Sequence, residues 1–253
     1  MQRFFPIPLA FLLLFACNHT PNPVPVAATN NAPQPAPPPE LSPEMRNYLL
    51  GKFNPAERTD FVTVGAPYSD RAGMQLRQEC FEAFKKMYEA AKKDGHTLKI
   101  ISSTRTFAQQ KGIWEGKWQR FAAEAPEAQA RALKILEYSS MPGSSRHHWG
   151  TDIDLNDLNN PAFEGKGKYA KLYEWLQAHA HEYGFCQPYT AGRPHGYFEE
   201  KWHWSYTPIS QKLLEQYRSH LKDEDIQGFI GAETAKSIGI VQHYVLGIND
   251  ACK

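Results

Sequence analysis

The sequence predicts an α+β domain: a small, mostly antiparallel sheet with flanking helices. Three observations support this. Strand-like and helix-like runs do not alternate as βαβ units would. Apolar residues make up 42% of the chain and aromatics 13%, enough for one sizeable core. Once the N-terminal leader and a proline-rich stretch are set aside, residues 44–253 fit one domain better than two.

The chain begins with Arg3 ahead of an apolar run (Leu9, Phe11, Leu12, Leu13, Leu14, Phe15) that ends in Ala16-Cys17. A short apolar segment after a basic start is a secretory signal and not a membrane span. Leu14-Phe15-Ala16-Cys17 resembles the lipobox of bacterial lipoproteins. Residues 1–16 are therefore expected to be a lipoprotein-type signal peptide and Cys17 the lipidated residue; the alternative is an ordinary secretory signal with a coincidental cysteine. Nine of the 19 prolines fall in Asn18–Pro43, which carries almost no charge and few large apolar groups. Residues 17–43 thus read as an anchor and an extended tether, unable to bury enough surface to fold. Asn18, not aspartate, follows the cysteine, which points to the outer membrane of a Gram-negative-type envelope, on its periplasmic face.

Within the domain, Ala72–Lys93 reads as a helix with Cys80, Phe84, Met87, Tyr88 and Ala91 on one face, stopped at Gly95. Leu98–Ser102 reads as a buried strand and Phe107–Phe121 as a helix. Pro126 suits the first turn of a third helix that reaches Tyr138. Met141–Arg146 is a loop by composition. Thr151–Leu155 reads as a strand, Lys168–Tyr183 as an amphipathic helix ended by Gly184, and Tyr197–Tyr206 as an aromatic-rich strand. Ser210–Leu221 and Ala232–Val245 read as helices. The 28 Lys+Arg against 27 Asp+Glu leave a net charge of +1, which argues against a nucleic-acid binder.

Chemistry concentrates in two clusters, Ser145–Leu155 (SRHHWGTDIDL) and Glu199–Tyr206 (EEKWHWSY). Catalytic zinc commonly takes three ligands drawn from histidine and carboxylate. His147, Asp154 and His203 would supply such a set, two from one strand region and one from a later strand. Any one of them alone is more often structural than a ligand.

The first cluster resembles the S-x-H-x-x-G-x-x-x-D motif of VanY-like zinc D-alanyl-D-alanine carboxypeptidases, the LAS-type metallopeptidases. The second resembles that family's E-x-W-H-x-x-Y. Ser102–Gln110 (SSTRTFAQQ) resembles its S-x-x-R-[ST]-x-x-x-Q, and the three occur in family order. The resemblance implies the small antiparallel sheet with flanking helices and one zinc ion held by His147, Asp154 and His203. It implies Glu200 as the general base for a metal-activated water and Arg105 as the cation facing the developing oxyanion. It implies Ser145, Gln110 and Trp202 as substrate-binding residues and peptidoglycan stem peptides as the partner. Trp202 and Trp204 also read as packing, and His195 and Glu199 as neighbours of the site.

Asp152 stands where many relatives carry a small apolar residue; on the same strand face as Asp154 it is a rival ligand or a support for one. Alternation would turn His148 away from His147. In a regular strand Glu200 and His203 would face opposite sides, so the functional reading requires a bend between them. With Cys17 lipidated, Cys80 on an apolar helix face reads as a free thiol, which leaves Cys186 with Cys252 as a disulfide by elimination; three free thiols are the alternative. The activity implied is removal of the terminal D-alanine. L,D-carboxypeptidase and endopeptidase activities remain open, as does a non-catalytic binder of cell-wall peptide, which would have no need of Glu200 and Arg105.

Overall fold

A computed structural model of the chain describes residues 40–253; the expected signal peptide at 1–16, Cys17 and the expected tether as far as residue 39 lie outside the described residues. Helix α1 (Pro43–Leu49) begins at the tether's last proline. Ser42 Oγ accepts the Met45 N–H at 3.2 Å, and Pro43 sits where a missing N–H costs nothing. Strands β1 (Phe61–Val64) and β2 (Met74–Arg77) follow as an antiparallel pair with Phe61 opposite Arg77. The helix expected from Ala72 thus starts later, as α2 (Gln78–Lys93). Gly73 at φ 76° cannot begin it, and Leu76 is buried at strand spacing beside the intermediate Met74.

The central sheet contains β3 (Ile100–Ser102), β4 (Asp152–Leu155), β5 (Phe185–Cys186) and β6 (His203–Tyr206) in the order β3-β4-β6-β5, every pair antiparallel. Between β3 and β4 lie α3 (Phe107–Arg120) and α4 (Ala128–Ile135). α3 is opened by a capping box in which Thr106 and Gln109 satisfy each other's backbone N–H groups. Pro126 stands outside α4, just ahead of its N-cap Glu127. Helix α5 (Ala170–His179) precedes β5, and α6 (Thr207–His220) follows β6.

Strand alternation gives the sheet two different faces. Ile153 and Leu155 of β4 and Trp204 of β6 pack with Phe84, Met87, Leu172 and Leu176 of α2 and α5 in one buried cluster. The intervening Asp152, Asp154, His203 and Ser205 point the other way. A second apolar cluster joins α1, α3, α4, α6 and the C-terminal segment around Trp114, Trp149 and Tyr217.

Two further expected elements differ. Only His203–Tyr206 of the Tyr197–Tyr206 run is strand, because the N–H groups of the preceding residues go to loops: Phe198 to Glu137 O, Glu200 to Tyr189 O and Lys201 to Asn160 Oδ1. The helix expected over Ala232–Val245 is broken into a 3-10 turn, a short α7 (Ala235–Ile238) and a wide turn at Val241–Val245, with Gly239 left-handed at φ 71° between the last two. Cys186 and Cys252 form a disulfide, and Cys80 is free and buried.

Candidate metal centre and catalytic cleft

The register of β4 against β6 places Asp154 directly opposite His203 and Asp152 opposite Ser205. His147 does not come from a strand, as the sequence suggested; it lies in a 3-10 turn (Arg146–Trp149) closed by Gly150, left-handed at φ 73°. A Cβ at Gly150 would stand 2.4 Å from the Phe61 ring, so glycine alone fits the return into β4. The turn lowers His147 onto the polar face of the sheet. One ligand atom from each of His147, Asp154 and His203 lies within 4.8 Å of the others, and all three residues are buried.

Each ring has one nitrogen committed to a support and one turned inward. His147 Nδ1–H donates to Ser103 O at 2.8 Å, leaving Nε2 3.4 Å from Asp154 Oδ1. His203 Nε2–H donates to Asp152 Oδ2 at 2.9 Å, leaving Nδ1 3.1 Å from Asp154 Oδ1 and 3.4 Å from Glu200 Oε2. His147 Nε2 and Asp154 Oδ1 are buried without a hydrogen-bond partner although they face each other. Burial and the Arg105 charge push the His147 pKa down, toward the neutral form that a ligand needs. Burial opposes the Asp154 charge, but His147 and His203 outweigh it and hold the carboxyl well below its usual range. Two imidazoles and a carboxylate whose ligand atoms converge, those of His147 and Asp154 orphaned, are a donor set that fits a zinc ion.

Glu200 reaches this cluster through a tight turn. His203 N–H donates to Glu200 O at 3.3 Å, so Lys201 and Trp202 form the corner that a regular strand would lack. The Glu200 carboxyl is buried, and burial raises its pKa against the pull of His203 and Arg105. Arg105 follows β3, its N–H bound to His147 O at 3.2 Å and its buried Nε without a partner.

Asp152 supports the centre and is not among the converging ligands. Arg146 Nε donates to its Oδ2 at 2.9 Å, Ser205 Oγ–H to its Oδ1 at 2.8 Å, and Arg146 Nη2 donates to Ser205 Oγ at 2.6 Å, all fully buried. His148 faces away, though not through strand alternation. Its Nδ1–H donates to Arg105 O at 2.6 Å and its Nε2 accepts the Gly143 N–H at 3.0 Å, which ties three loops together.

The centre opens into a cavity of about 470 Å³ whose wall includes Arg105, Lys117, Ser139, Tyr189, Tyr197, Glu200 and Trp202. Trp202 both lines the cavity and packs into the sheet's apolar cluster. Ser145 and Gln110 are buried outside the lining; Gln110 Nε2 holds Ser140 O at 2.8 Å, which positions the wall rather than touching the cavity. Glu199 is paired with Lys201 at 2.5 Å, and His195 stacks on His243 at 4.6 Å in another depression. Sequence reading missed Lys117, Tyr189 and Tyr197. Lys117 had a signal: it stands seven residues after Gln110, two helical turns along the same face. The tyrosines lie on an irregular loop, where no periodicity marks them.

An α+β fold with a His–Asp–His cluster at the floor of a cavity, flanked by a carboxylate and a guanidinium, has the parts that metal-dependent hydrolysis needs. The chain belongs to the VanY D-alanyl-D-alanine carboxypeptidase family, whose model matches residues 73–209. It is similar to the putative carboxypeptidase YodJ of Bacillus subtilis strain 168, 28% identical over 165 residues, 62% of this chain and 56% of that protein. The match thus spans about half the length of that relative. Among solved structures it is similar to the LdcB LD-carboxypeptidase, with 25% identity and a TM-score of 0.50 over 67% of this chain and 81% of that one. It is also similar to a mutant of the D,D-pentapeptidase VanY in complex with Zn(II), with 23% identity and a TM-score of 0.45 over 68% and 92% of the two chains.

Proposed function

We propose that the protein is a zinc-dependent D-alanyl-D-alanine carboxypeptidase that trims peptidoglycan stem peptides. The observation that carries this reading is the convergence of His147, Asp154 and His203 within 4.8 Å, with Glu200 3.4 Å from His203. A zinc ion held by those three would supply Lewis acidity and make water acidic enough to lose a proton near neutral pH. Glu200, its pKa raised by burial, is suited to take that proton and pass it to the leaving amine. Arg105 offers a charged donor to the oxygen where negative charge develops, an interaction stronger in the transition state than in the ground state. A non-catalytic binder would need neither group.

The likeness to the LdcB LD-carboxypeptidase favours a second reading, in which the same centre releases D-alanine from a tetrapeptide. Incubating the zinc-loaded protein with penta- and tetrapeptide muropeptides, with and without chelator, followed by mass spectrometry, separates the two. D-alanine release from the pentapeptide, abolished by the chelator, is the expected result; release only from the tetrapeptide would move the assignment to L,D, and no release would overturn both. Anchoring through Cys17 is part of the proposal, resting on Ala16-Cys17 and the tether behind it. Cys17→Ser should move the protein from the membrane to the soluble periplasmic fraction, and an unchanged distribution would count against the anchor.

A further inference from the structure

Lys117 projects from α3 into the wall of the cavity that holds Arg105, His147, Asp154 and Glu200. Among the described residues its only side-chain hydrogen bond runs from Nζ to Ser139 Oγ at 2.6 Å. It has no carboxylate partner among the described residues. Lys201 is also sequestered, and it is paired with both Glu199 and Glu164. On the same helix, Lys111 is paired with Glu115. Lys117 is half-buried, and a partly desolvated cation without a paired counter-charge makes this stretch of wall a favourable place for an anion. Burial lowers the Lys117 pKa, Arg120 and Arg105 lower it further, and only Glu200 supports its charge.

We propose that Lys117 anchors the free α-carboxylate of the substrate's C-terminal residue and so makes the site an exopeptidase rather than a cross-link endopeptidase. The proposal deepens the carboxypeptidase reading and rests on it. The two cations divide the cavity: Arg105 is tied by its backbone to His147 at the ligand cluster, whereas Lys117 lies beside Ser139 and Ser140. A terminal residue whose scissile bond faces Glu200 and Arg105 would extend its carboxylate toward Lys117. The ammonium has two donors left, and Ser139, having accepted from it, keeps its own O–H to give. A cross-linked residue carries an amide there, which brings no charge and leaves Lys117 uncompensated. A site built to pair with a charge rejects an analogue that lacks it. Both D,D and L,D substrates end in a free carboxylate, so the inference holds for either.

The test measures binding and turnover separately, on zinc-loaded full-length protein. In a Glu200→Ala background, the affinity for an acylated peptide ending in D-Ala-D-Ala is compared with that for its C-terminal carboxamide by calorimetry. The carboxylate form should bind about 10- to 100-fold tighter, the scale of a charge-assisted hydrogen bond. Lys117→Met in that background should erase the preference, and Lys117→Arg should restore part of it. A preference that survives Lys117→Met, or is absent from the outset, overturns the anchor. In the otherwise wild-type protein, Lys117→Met should raise KM for the carboxylate form alone. Carboxylate-selective binding without any turnover by the wild type would support the anchor while overturning the peptidase reading.

Discussion

Glu199 holds Lys201 at 2.5 Å outside the cavity, whereas Glu200, one position on, is buried against His203 with its pKa raised. Glu200→Ala should therefore keep zinc, since all three ligands remain, and lose activity by ~10²-fold or more. Glu199→Ala should stay within a few-fold of wild type, and His203→Ala should lose metal and activity together. Parallel assays of D-alanine release and bound zinc decide this; a dead Glu199 variant would reverse the assignment. Asp152 acts through His203, fixing which ring nitrogen faces the centre. Asp152→Asn should weaken zinc by about 10- to 100-fold in chelator competition. It should also destabilise the metal-free protein by about 3–5 kcal/mol, because Arg146 would be left buried without its counter-charge. Zinc affinity equal to wild type would remove Asp152 from the site. Motif spacing made His147, Asp154, His203 and Glu200 legible in sequence, and strand alternation left Asp152 as either a rival ligand or a support. Whether a second aspartate on one strand face binds or orients depends on what lies across the register, here Ser205 and, from a separate turn, Arg146.

At the scale of elements, the 3-10 turn Arg146–Trp149 is held by His148, accepting from Gly143 and donating to Arg105, a pattern only the neutral ring can make. Burial pushes its pKa down to about 3, against about 6.5 for an unperturbed histidine. As pH falls below ~6.5 the unfolded chain takes up a proton that the folded chain refuses, so stability is present above ~6.5 and lost between there and about 3. The slope from this one group is at most ~1.4 kcal/mol per pH unit. Denaturant titrations of the metal-free protein from pH 7 to pH 5 should show it, with a flatter dependence in His148→Gln. Equal slopes would mean that other groups carry the acid response. The same turn shows why parts of the fold were hard to read. Helices α2 and α5 announce themselves by an apolar face, and β3 by a short apolar run. β2 was absorbed into the helix that follows it, because Leu76, four residues before Cys80, also fits the start of α2's apolar face, and β1 lay outside every element read from the sequence. The Glu200–His203 corner was demanded by chemistry and not by propensity: nothing in Glu-Lys-Trp-His marks a turn, and besides the bond that closes it the Glu200 and Lys201 N–H groups go to residues distant in the chain, Tyr189 and Asn160.

Across the whole molecule, the chain after β6 braces the cleft from behind. No residue beyond His203 lines the cavity. The tail instead holds the loop that carries Tyr189 and Tyr197 into the wall. Asn249 N–H donates to Pro188 O at 2.8 Å, Arg193 binds both Gly247 O and Tyr197 O, and Tyr244 packs on the Tyr197 ring at 5.1 Å. The Cys186–Cys252 disulfide closes this brace across a sequence separation of 66, joining the last turn of the chain to β5 at the sheet's edge. Constraining a loop of that length in the unfolded chain stabilises the fold by about 4 kcal/mol in the chain-entropy model. The proposed metal ligands sit elsewhere, on β4, β6 and the 3-10 turn, so the bridge and the centre are separable. The double variant Cys186→Ser/Cys252→Ser should therefore unfold at a lower denaturant midpoint, with a loss near 4 kcal/mol, while binding one zinc per chain at 25 °C. An unchanged midpoint would show that the Asn249 and Arg193 contacts hold the tail unaided. Loss of zinc from the folded double variant would show that the brace reaches the centre, most directly through Tyr189, whose ring lies 4.6 Å from that of His203.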